Sequence, residues 1–557
     1  MRNVTKICYL AYRQGLMPSR AIFIFLLAGG LFCLAATCPV EAATYYCDPV
    51  DGNTVTGDGN SGNPWGTLQS VNIAGKFNGV IIKSGDTVKL RTGFHGRFVI
   101  SSKDNTDYIT IEADDGAVAD VNYVQIKYSD YWCIRGLRIS PEFDGPITEP
   151  PTSPRMVRIV SGNNYITVED CNIFTVTDTS LWEPNDWDDL SCQGIDAGNG
   201  ILTGGIIRNN LIRNVSRGMT SFGCNNFLIE NNTIDGFSVD GIVTDGTGQI
   251  IQDNRIINVY GDNNPDTHSD AIHVSGNNII IRRNYICART DPNRTSGGGL
   301  QGIYLNGANN PLTNSTIENN VVMVNNGVWG IVIGAYSHDT KILNNTVLRP
   351  YNTGNWPDIN LNTGVYNIIV RNNIADNFPA NDPSRNLVVD HNFDISNYNP
   401  LVEFVDYVHG NVHLAADSNF IDKGLAVDVN APTDDLDGLS RPQGTYFDIG
   451  AYEYIPIVGS NDPELDTIGN KSVNENSTLT FDVNACDVDG DTIVYSCNYL
   501  PSGATFSVKT FAWMPTHRQS DSYQVRFYVS DGKGGVDSEL ITITVNNVPR
   551  YGIFRRQ

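Results

Sequence analysis

Short apolar runs that alternate with polar residues set the pattern of the chain. β-Branched and aromatic residues recur at every second position in GDTVKLRTGFHG (85–96), YITIEA (108–113), WCIRGLRI (132–139) and YITVEDCNI (165–173), each bounded by Gly, Asn or Asp. A period of two over runs this short predicts β-strands separated by turns. Helical periodicity is absent, except that Leu68 to Phe77 reads as one short helix.

The strand phrase then repeats as GIIRNNLI, FLIENNTI, IIQDNRII, IIIRRNYI, STIENNVV, TKILNNTV, IIVRNNIA and VVDHNFDI. Alignment places Asn210, Asn232, Asn254, Asn284, Asn320, Asn345, Asn373 and Asn392 in one column, with Cys171 filling the place one coil earlier. The steps run from 19 to 36 residues, so each unit is one turn of a solenoid whose loops vary in length. An Asn at a fixed corner with strands of a few residues describes a parallel β-helix, in which side-chain amides of coils ~4.8 Å apart can bond to one another. Leucine-rich repeats would require regularly spaced leucines, which are missing. A second column, Arg208, Glu230, Gln252, Arg282, Glu318 and Arg371, lies two positions before the Asn and reads as alternating charge on a solvated strand face.

Residues 455–463 form a Pro/Gly/Asn linker, and beyond it short strands separated by turn signals predict an antiparallel β-sandwich over 464–547, followed by a tail at 548–557. The whole chain is therefore expected to be all-β, a right-handed parallel β-helix over 44–454 with a small sandwich after it. The 53 Gly and 25 Tyr suit such a turn-rich protein. A net charge of -24 argues against nucleic acid and anionic lipid as partners. A basic start, an apolar run from Ala21 to Ala36 and small residues at Val40 and Ala42 predict a signal peptide over 1–42, and with it a secreted or cell-surface protein; a retained anchor is the alternative. Eight cysteines then remain of 11. Their spacing fits no zinc pattern. Cys486 and Cys497 flank the turn Asp-Val-Asp-Gly-Asp and are candidates to pair across a hairpin.

With the Asn column as ruler, SVDGIVTDG, HSDAIHVSG, LQGIYLNGA and VWGIVIGAY align, so Asp240, Asp270, Gln301 and Trp329 share a column, and Val243, His273, Tyr304 and Val332 share another. Stacked carboxylates either share a proton or recruit a cation. Asp240, Asp266 and Asp270 are accordingly candidate Ca²⁺ ligands, with His268 and His273 at the same edge. Turn-capping is the competing reading for each Asp, and an exposed strand position for His273. Arg289, Arg294, Tyr304 and Trp329 are candidate substrate-binding residues, and LWEPNDWDDL (181–190), with two tryptophans among acids, is expected to flank a cleft. Asp437, Arg441 and Asp448 are expected in ion pairs or turns. In the sandwich, Glu475, Asp487 and Asp489 are candidate metal ligands; Asn498 at the twelfth loop position excludes an EF-hand.

The coils, with the opening YYCDP...NPWGTLQS and with GDTVKLRTGFHG, resemble the secreted parallel β-helix proteins of the pectin-lyase-like superfamily, and Asp434 to Tyr454 resembles the segment that closes such helices. The C-terminal segment resembles cadherin-like and Ig-like modules of bacterial surface enzymes. For the β-helix the resemblance implies a Ca²⁺-assisted lyase acting on an acidic glycan: the metal neutralises a uronate carboxylate and a base removes the C5 proton. His268 is the candidate base by proximity, with Arg289, Arg294 and Lys341 as alternatives by charge, and Asp240, Asp270 and His273 belong to the same expected catalytic group. A glycoside hydrolase using Asp240 with Asp270 or Asp266 is a second reading, although the superfamily's Gly-His-Gly and adjacent Asp pairs are missing from the coils. The third is a non-catalytic adhesion or carbohydrate-binding protein, a monomer attached to a surface or matrix through its sandwich.

Overall fold

The computed structural model of the protein describes residues 42–548 except 150–153, 161, 163, 199, 201, 261–268, 291–298, 308–311, 326–328, 351–357, 426–430, 456–461, 489, 491 and 532–534, together with two-residue strands at 26–27 and 30–31. Residues 44–394 wind into a parallel β-helix. One sheet of 13 strands, from Thr44–Cys47 to Leu387–Asp390, forms its first face. A second sheet of 20 strands forms the other two faces, which merge because Leu211–Ser221 and Thr233–Asp245 run through the bend between them without a break. Neighbouring coils pair in parallel throughout, as in Ile229 with Ile251 and Ile251 with Ile281. Inward residues of each face stack into one aliphatic core.

The corner after the first face is made by two residues with different duties. Asp170, Asn209, Asn231, Asp253, Arg283, Asn319, Asn344, Asn372 and His391 each hold a φ between +51° and +58°. Asn and Asp tolerate this left-handed conformation better than other side chains, which is why most copies of the phrase begin the corner with one of them. The next residue is the ladder Asn. Asn254 donates from its backbone N (3.1 Å) and from Nδ2 (3.0 Å) to Oδ1 of Asn284, and Nδ2 also donates to the carbonyl of Ile229 at 2.9 Å. The same pattern carries from Asn210 to Asn392. At its upper end Cys171 donates only its backbone N to Asn210 Oδ1, at 3.0 Å, so it ends the ladder. A second left-handed corner, not anticipated from the repeat, precedes the first face at Tyr131, Tyr165, Asn226, Asn278, Asn314, Asn367 and Asn386.

The charged column is longer than the repeat alone suggested. Lys89, Glu112, Arg135, Glu169, Arg208, Glu230, Gln252, Arg282 and Glu318 follow one another in register. Arg135 lies 3.0 Å from Glu112 and 2.5 Å from Glu169, and Arg208 lies 2.6 Å from Glu169. Gln252 bridges by donating to Glu230 and accepting from Arg282, both at 2.9 Å. Slipping the stack by one coil would put like charges side by side, so the column specifies coil order.

The predicted helix is present as Leu68–Ile73, capped by Thr67, whose hydroxyl accepts from Ser70 N at 3.1 Å. Residues from Ile395 to Tyr452 lie along the outside of the second face, burying Ile395, Phe404, Val412, Phe420 and Ile449 against Ile257, Cys287, Met323, Leu348 and Ile374. Arg283 reaches Asp434 at 2.5 Å, Asn319 Nδ2 donates to the carbonyl of Asp434 at 2.6 Å, and Ala451 N donates to Thr346 Oγ1 at 2.9 Å. The segment expected to close the helix therefore clasps its side. Asp437, Arg441 and Asp448 serve this clasp: Asp437 meets His413 at 2.7 Å, Arg441 pairs with Glu453 at 2.7 Å with both side chains fully buried, and Asp448 accepts from Asp422 N and Tyr454 N.

The C-terminal unit pairs a four-stranded sheet (471–474, 536–546, 522–530, 494–498) with a three-stranded one (479–482, 510–513, 505–507) around Phe511, Trp513, Phe527 and Ile541. It docks on the clasp, where Asn498 Nδ2 and the Tyr499 hydroxyl donate to Asp406 at 2.8 and 2.5 Å and the Tyr528 hydroxyl donates to the carbonyl of Val405 at 2.7 Å. The pairing expected of Cys486 with Cys497 does not form. Both thiols are free, because Cys486 lies on a strand paired with Glu464–Leu465 whereas Cys497 belongs to the four-stranded sheet. The six cysteines of the β-helix are buried free thiols.

Replacing Asn284 with Ala removes the acceptor of two buried donors and should cost about 3 kcal/mol in urea unfolding, whereas Asn314→Ala on the exposed second corner should cost about 1 kcal/mol, the strain of Ala in a left-handed conformation. Burial, and then the neighbouring Glu453, push the Asp448 carboxyl up to about 6. The folded chain therefore holds a proton there more readily than the unfolded chain, so this group adds stability at low pH that is lost as pH rises through about 6. Thermal unfolding of Asp448→Asn should accordingly lack the gain that the parent shows on acidification from neutral pH; equal slopes would refute the assignment.

Candidate functional site

The third face carries the chemistry. Its strands leave the bend with a small residue, Gly218, Gly241, Ala271 or Gly302, and a Cβ at Gly302 would lie 2.2 Å from the carbonyl of Gly330, so the coils touch there. Immediately before this close approach stand Arg217, Asp240, Asp270 and Gln301, and two residues beyond it stand Thr220, Val243, His273 and Tyr304. The register expected from the Asn column holds for Asp240 over Asp270 over Gln301, and for Val243, His273, Tyr304 and Val332.

Asp240 Oδ1 accepts from Asp270 N at 3.1 Å, and its Oδ2 meets Arg217 Nε at 3.0 Å. Burial, and then the charge of Asp270, raise the Asp240 carboxyl above the ordinary carboxylate range, with the Asp270 N–H and Arg217 opposing. Asp270 Oδ2 meets His273 Nδ1 at 2.8 Å, and the His273 ring lies 4.9 Å from that of Tyr304 at 59°. Burial, and then Asp270, raise the Tyr304 hydroxyl. Exposure rises outward along this chain: the side chain of Asp270 is 4% exposed, His273 26% and Arg217 42%. With Nδ1 donating to Asp270, the Nε2 lone pair of His273 is left for a ligand.

Toward the N-terminal end of the same face, Asp196 lies 2.5 Å from Arg155 Nε and 3.9 Å from Arg158 Nε, and accepts from the Thr220 hydroxyl at 3.0 Å. Gln193 Nε2 donates to that hydroxyl. Sequence reasoning missed Arg155, Arg158, Asp196 and Arg217. The signal was available, since QGIDAG and SRGMTS continue the alignment two coils upstream of SVDGIVTDG.

The other expected site residues fare differently. Asp266, His268, Arg294 and Asp489 lie outside the described residues. Trp329 lies just before the third-face strand Ile331–Ile333, and its carbonyl accepts from Gly302 N at 3.1 Å. Arg289 sits on the turn leaving the second face, where its carbonyl takes the Cys287 thiol at 2.9 Å. Lys341 is on the first face, paired in register with Thr316, away from His273. Glu475 is committed to the sandwich, its Oε2 meeting His517 at 3.0 Å and Val548 N at 3.1 Å. Asp487 caps the turn after Cys486, its carbonyl accepting from Gly490 N at 3.2 Å. Among the described residues no group of three or more His, Cys, Asp or Glu is arranged to hold a metal ion. Both Asp240 oxygens and Oδ2 of Asp270 already have partners, and Asp266, the third expected Ca²⁺ ligand, lies outside the described residues.

The loop 181–190 is explained by packing. Trp187 is buried, stacks on Tyr260 at 4.0 Å and 8°, and takes the edge of Trp182 at 5.0 Å. Its carbonyl accepts from the Ser238 hydroxyl at 3.2 Å, so the short helix Pro184–Asp189 is fixed to the bend just before Asp240.

Residues 457–546 match the family described as "Putative Ig domain", in agreement with the Ig-like sandwich. No curated protein matches the chain. Among solved structures, pectate lyase Pel9A is 16% identical with a TM-score of 0.39, covering 74% of this chain and 96% of that one. The alginate lyase from Paenibacillus sp. str. FPU-7 is 16% identical with a TM-score of 0.37, covering 58% and 99%. The periplasmic alginate epimerase AlgG is 15% identical with a TM-score of 0.32, covering 56% and 66%. At these values the likenesses decide nothing about activity.

Proposed function

We propose that the protein is a secreted or cell-surface polysaccharide-active β-helix, a lyase on an acidic glycan, with its sandwich serving attachment. The observation that carries this reading is the run Asp270, His273, Tyr304 on the outer side of the third face, with Arg217 two coils before Asp270 and bound to the intervening Asp240. A proton on carbon beside a carboxylate is weakly acidic until the carboxylate's charge is matched. Arg217, bound to Asp240 through Nε, offers its outer guanidinium nitrogens for that purpose. His273 Nε2 accepts the C5 proton, and Asp270 holds the imidazole in the tautomer that leaves Nε2 free and stabilises the cation formed. The electrons of the C5–H bond form the C4–C5 double bond, the C4–O4 bond breaks, and the Tyr304 hydroxyl gives O4 a proton, later regained from water.

This geometry supports a hydrolase less well. Asp240 and Asp270 sit side by side with one bonded to the backbone of the other, and Asp270 is buried against His273. Neither stands across a glycosidic bond from the other, as an acid and a base or nucleophile must. No step needs a metal ion.

Incubation with polyuronates in the presence of a chelator should produce the ultraviolet absorbance of an unsaturated uronate, and His273→Ala should lower the rate by about 10²- to 10⁴-fold. New reducing ends without that absorbance mean a hydrolase, and no product from any acidic glycan leaves an adhesive protein. Activity abolished by the chelator would return Ca²⁺ to the site.

A further inference from the structure

The outer side of the third face is not uniform along the axis. Its early coils carry Arg97, Lys103, Lys127, Arg155, Arg158 and Arg217, a cationic stripe in a chain whose net charge is -24. From Leu300 onward this face among the described residues exposes no charge on its strands, the ion pair of Arg349 with Asp358 at the bend being buried. Its outward positions hold Tyr304, Trp329, Asn360 and Asn362, each half-buried, with Asn360 Nδ2 bonded to Asn362 Oδ1 at 3.0 Å. His273 lies where the two halves meet.

Each half suits a different sugar. The side chains of Arg155, Arg158 and Arg217 are 37%, 32% and 42% exposed, and their contacts with Asp196 and Asp240 run through Nε. Among the described residues the outer nitrogens of these three make no hydrogen bond, so they are available to carboxylates as paired donors. The surrounding acidic surface repels a polyanion, which confines a uronate stretch to the stripe. At the other half a carboxylate would lose water and find no exposed cation, since Arg349 is buried against Asp358. A neutral ring can instead stack on Tyr304 or Trp329, with its hydroxyls on the amides of Asn360 and Asn362.

We infer that the substrate of this face is a heteroglycan in which uronate adjoins neutral sugar, lying along the helix axis with uronates over the coils of Arg155 to Arg217 and neutral units over Tyr304 to Asn362. The inference rests on the reading of the third face as the glycan site, and goes beyond it by excluding a purely acidic polymer as the preferred ligand. His273 then meets the uronate at the boundary.

Binding tests this apart from turnover. The His273→Ala chain is titrated by calorimetry, at low and high salt, with three oligomers: a homopolyuronate, one joining a uronate block to a neutral block, and a neutral one. The block oligomer should bind at least about tenfold tighter than either other, since only it satisfies both halves. Adding Arg155→Ala with Arg158→Ala should weaken it by about tenfold or more at low salt and by less at high salt. Trp329→Ala should weaken the block oligomer and leave the homopolyuronate unchanged; Asn360→Ala replaces it if that variant unfolds. Equal affinity for the homopolyuronate and the block oligomer, a uniform loss in Trp329→Ala, or binding of none of the three overturns the inference. Tight binding of the block oligomer by a parent chain that releases no unsaturated product would sink the lyase reading and leave this one standing.

Discussion

The structure depends on one demand, that the buried polar groups of a sharp corner be satisfied in every coil. A corner turned by a left-handed residue leaves the next N–H pointing along the axis, inside the wall and away from water. The Oδ1 of the following coil's Asn accepts that N–H, and the Nδ2 of each Asn closes the remaining gap by bonding across to its neighbour and back to a carbonyl. No other side chain of that size presents an acceptor and two donors at once. Asp lacks the donors, and Ser lacks the reach for both. The ladder therefore locks each coil to the next at one edge, and strand register follows from it across all three faces.

That lock makes the site possible. Asp240 faces Asp270, and His273 faces Tyr304, because Asn232, Asn254 and Asn284 hold their coils in step despite loops of unequal length between them. The carboxylates sit one above the other by scaffold geometry and not by local attraction. Their repulsion is tolerated because Arg217 and His273 each take one of them.

Much of this was legible in the sequence. The Asn column, the place of Cys171 at its end and the stacking of Asp240 on Asp270 could be read from a repeat of eight short phrases, since hydrogen-bonding demand at a corner admits few residue types. The clasp over the second face was not read, although its signal was present. The outward positions change from Arg213 and Asp235 to Ile257, Cys287, Met323 and Leu348, and an apolar outer face requires a cover. The role of Trp187 escaped because burial against Tyr260 joins residues far apart in the chain, and no local pattern reports such a pairing. Glu475 escaped likewise: acids near a turn look like metal ligands until the partner is seen to be His517.

The placement of loops explains why chemistry gathers where it does. In sequence, segments 175–192, 261–268, 291–298, 326–328 and 351–357 all fall between the second and third faces, while the Asn corner admits no insertion because an extra residue would break a buried bond on both sides. Variation in length is thus greatest at the bend that borders Arg217, Asp240, Asp270 and Gln301, and smaller between the third face and the first. The two coils at Leu211–Ser221 and Thr233–Asp245 cross this bend as single strands, the second with one extra residue between Phe237 and Asp240. Their outward residues, Arg217 and Asp240, are consequently the floor of a gap in the row of loops, with the helix at Pro184–Asp189 fixed on one side by Trp187. A rigid corner on one edge and a permissive bend on another are two results of the same hydrogen-bond accounting. The ionisable residues sit beside the permissive bend, where neighbouring loops can differ from coil to coil without disturbing the lock.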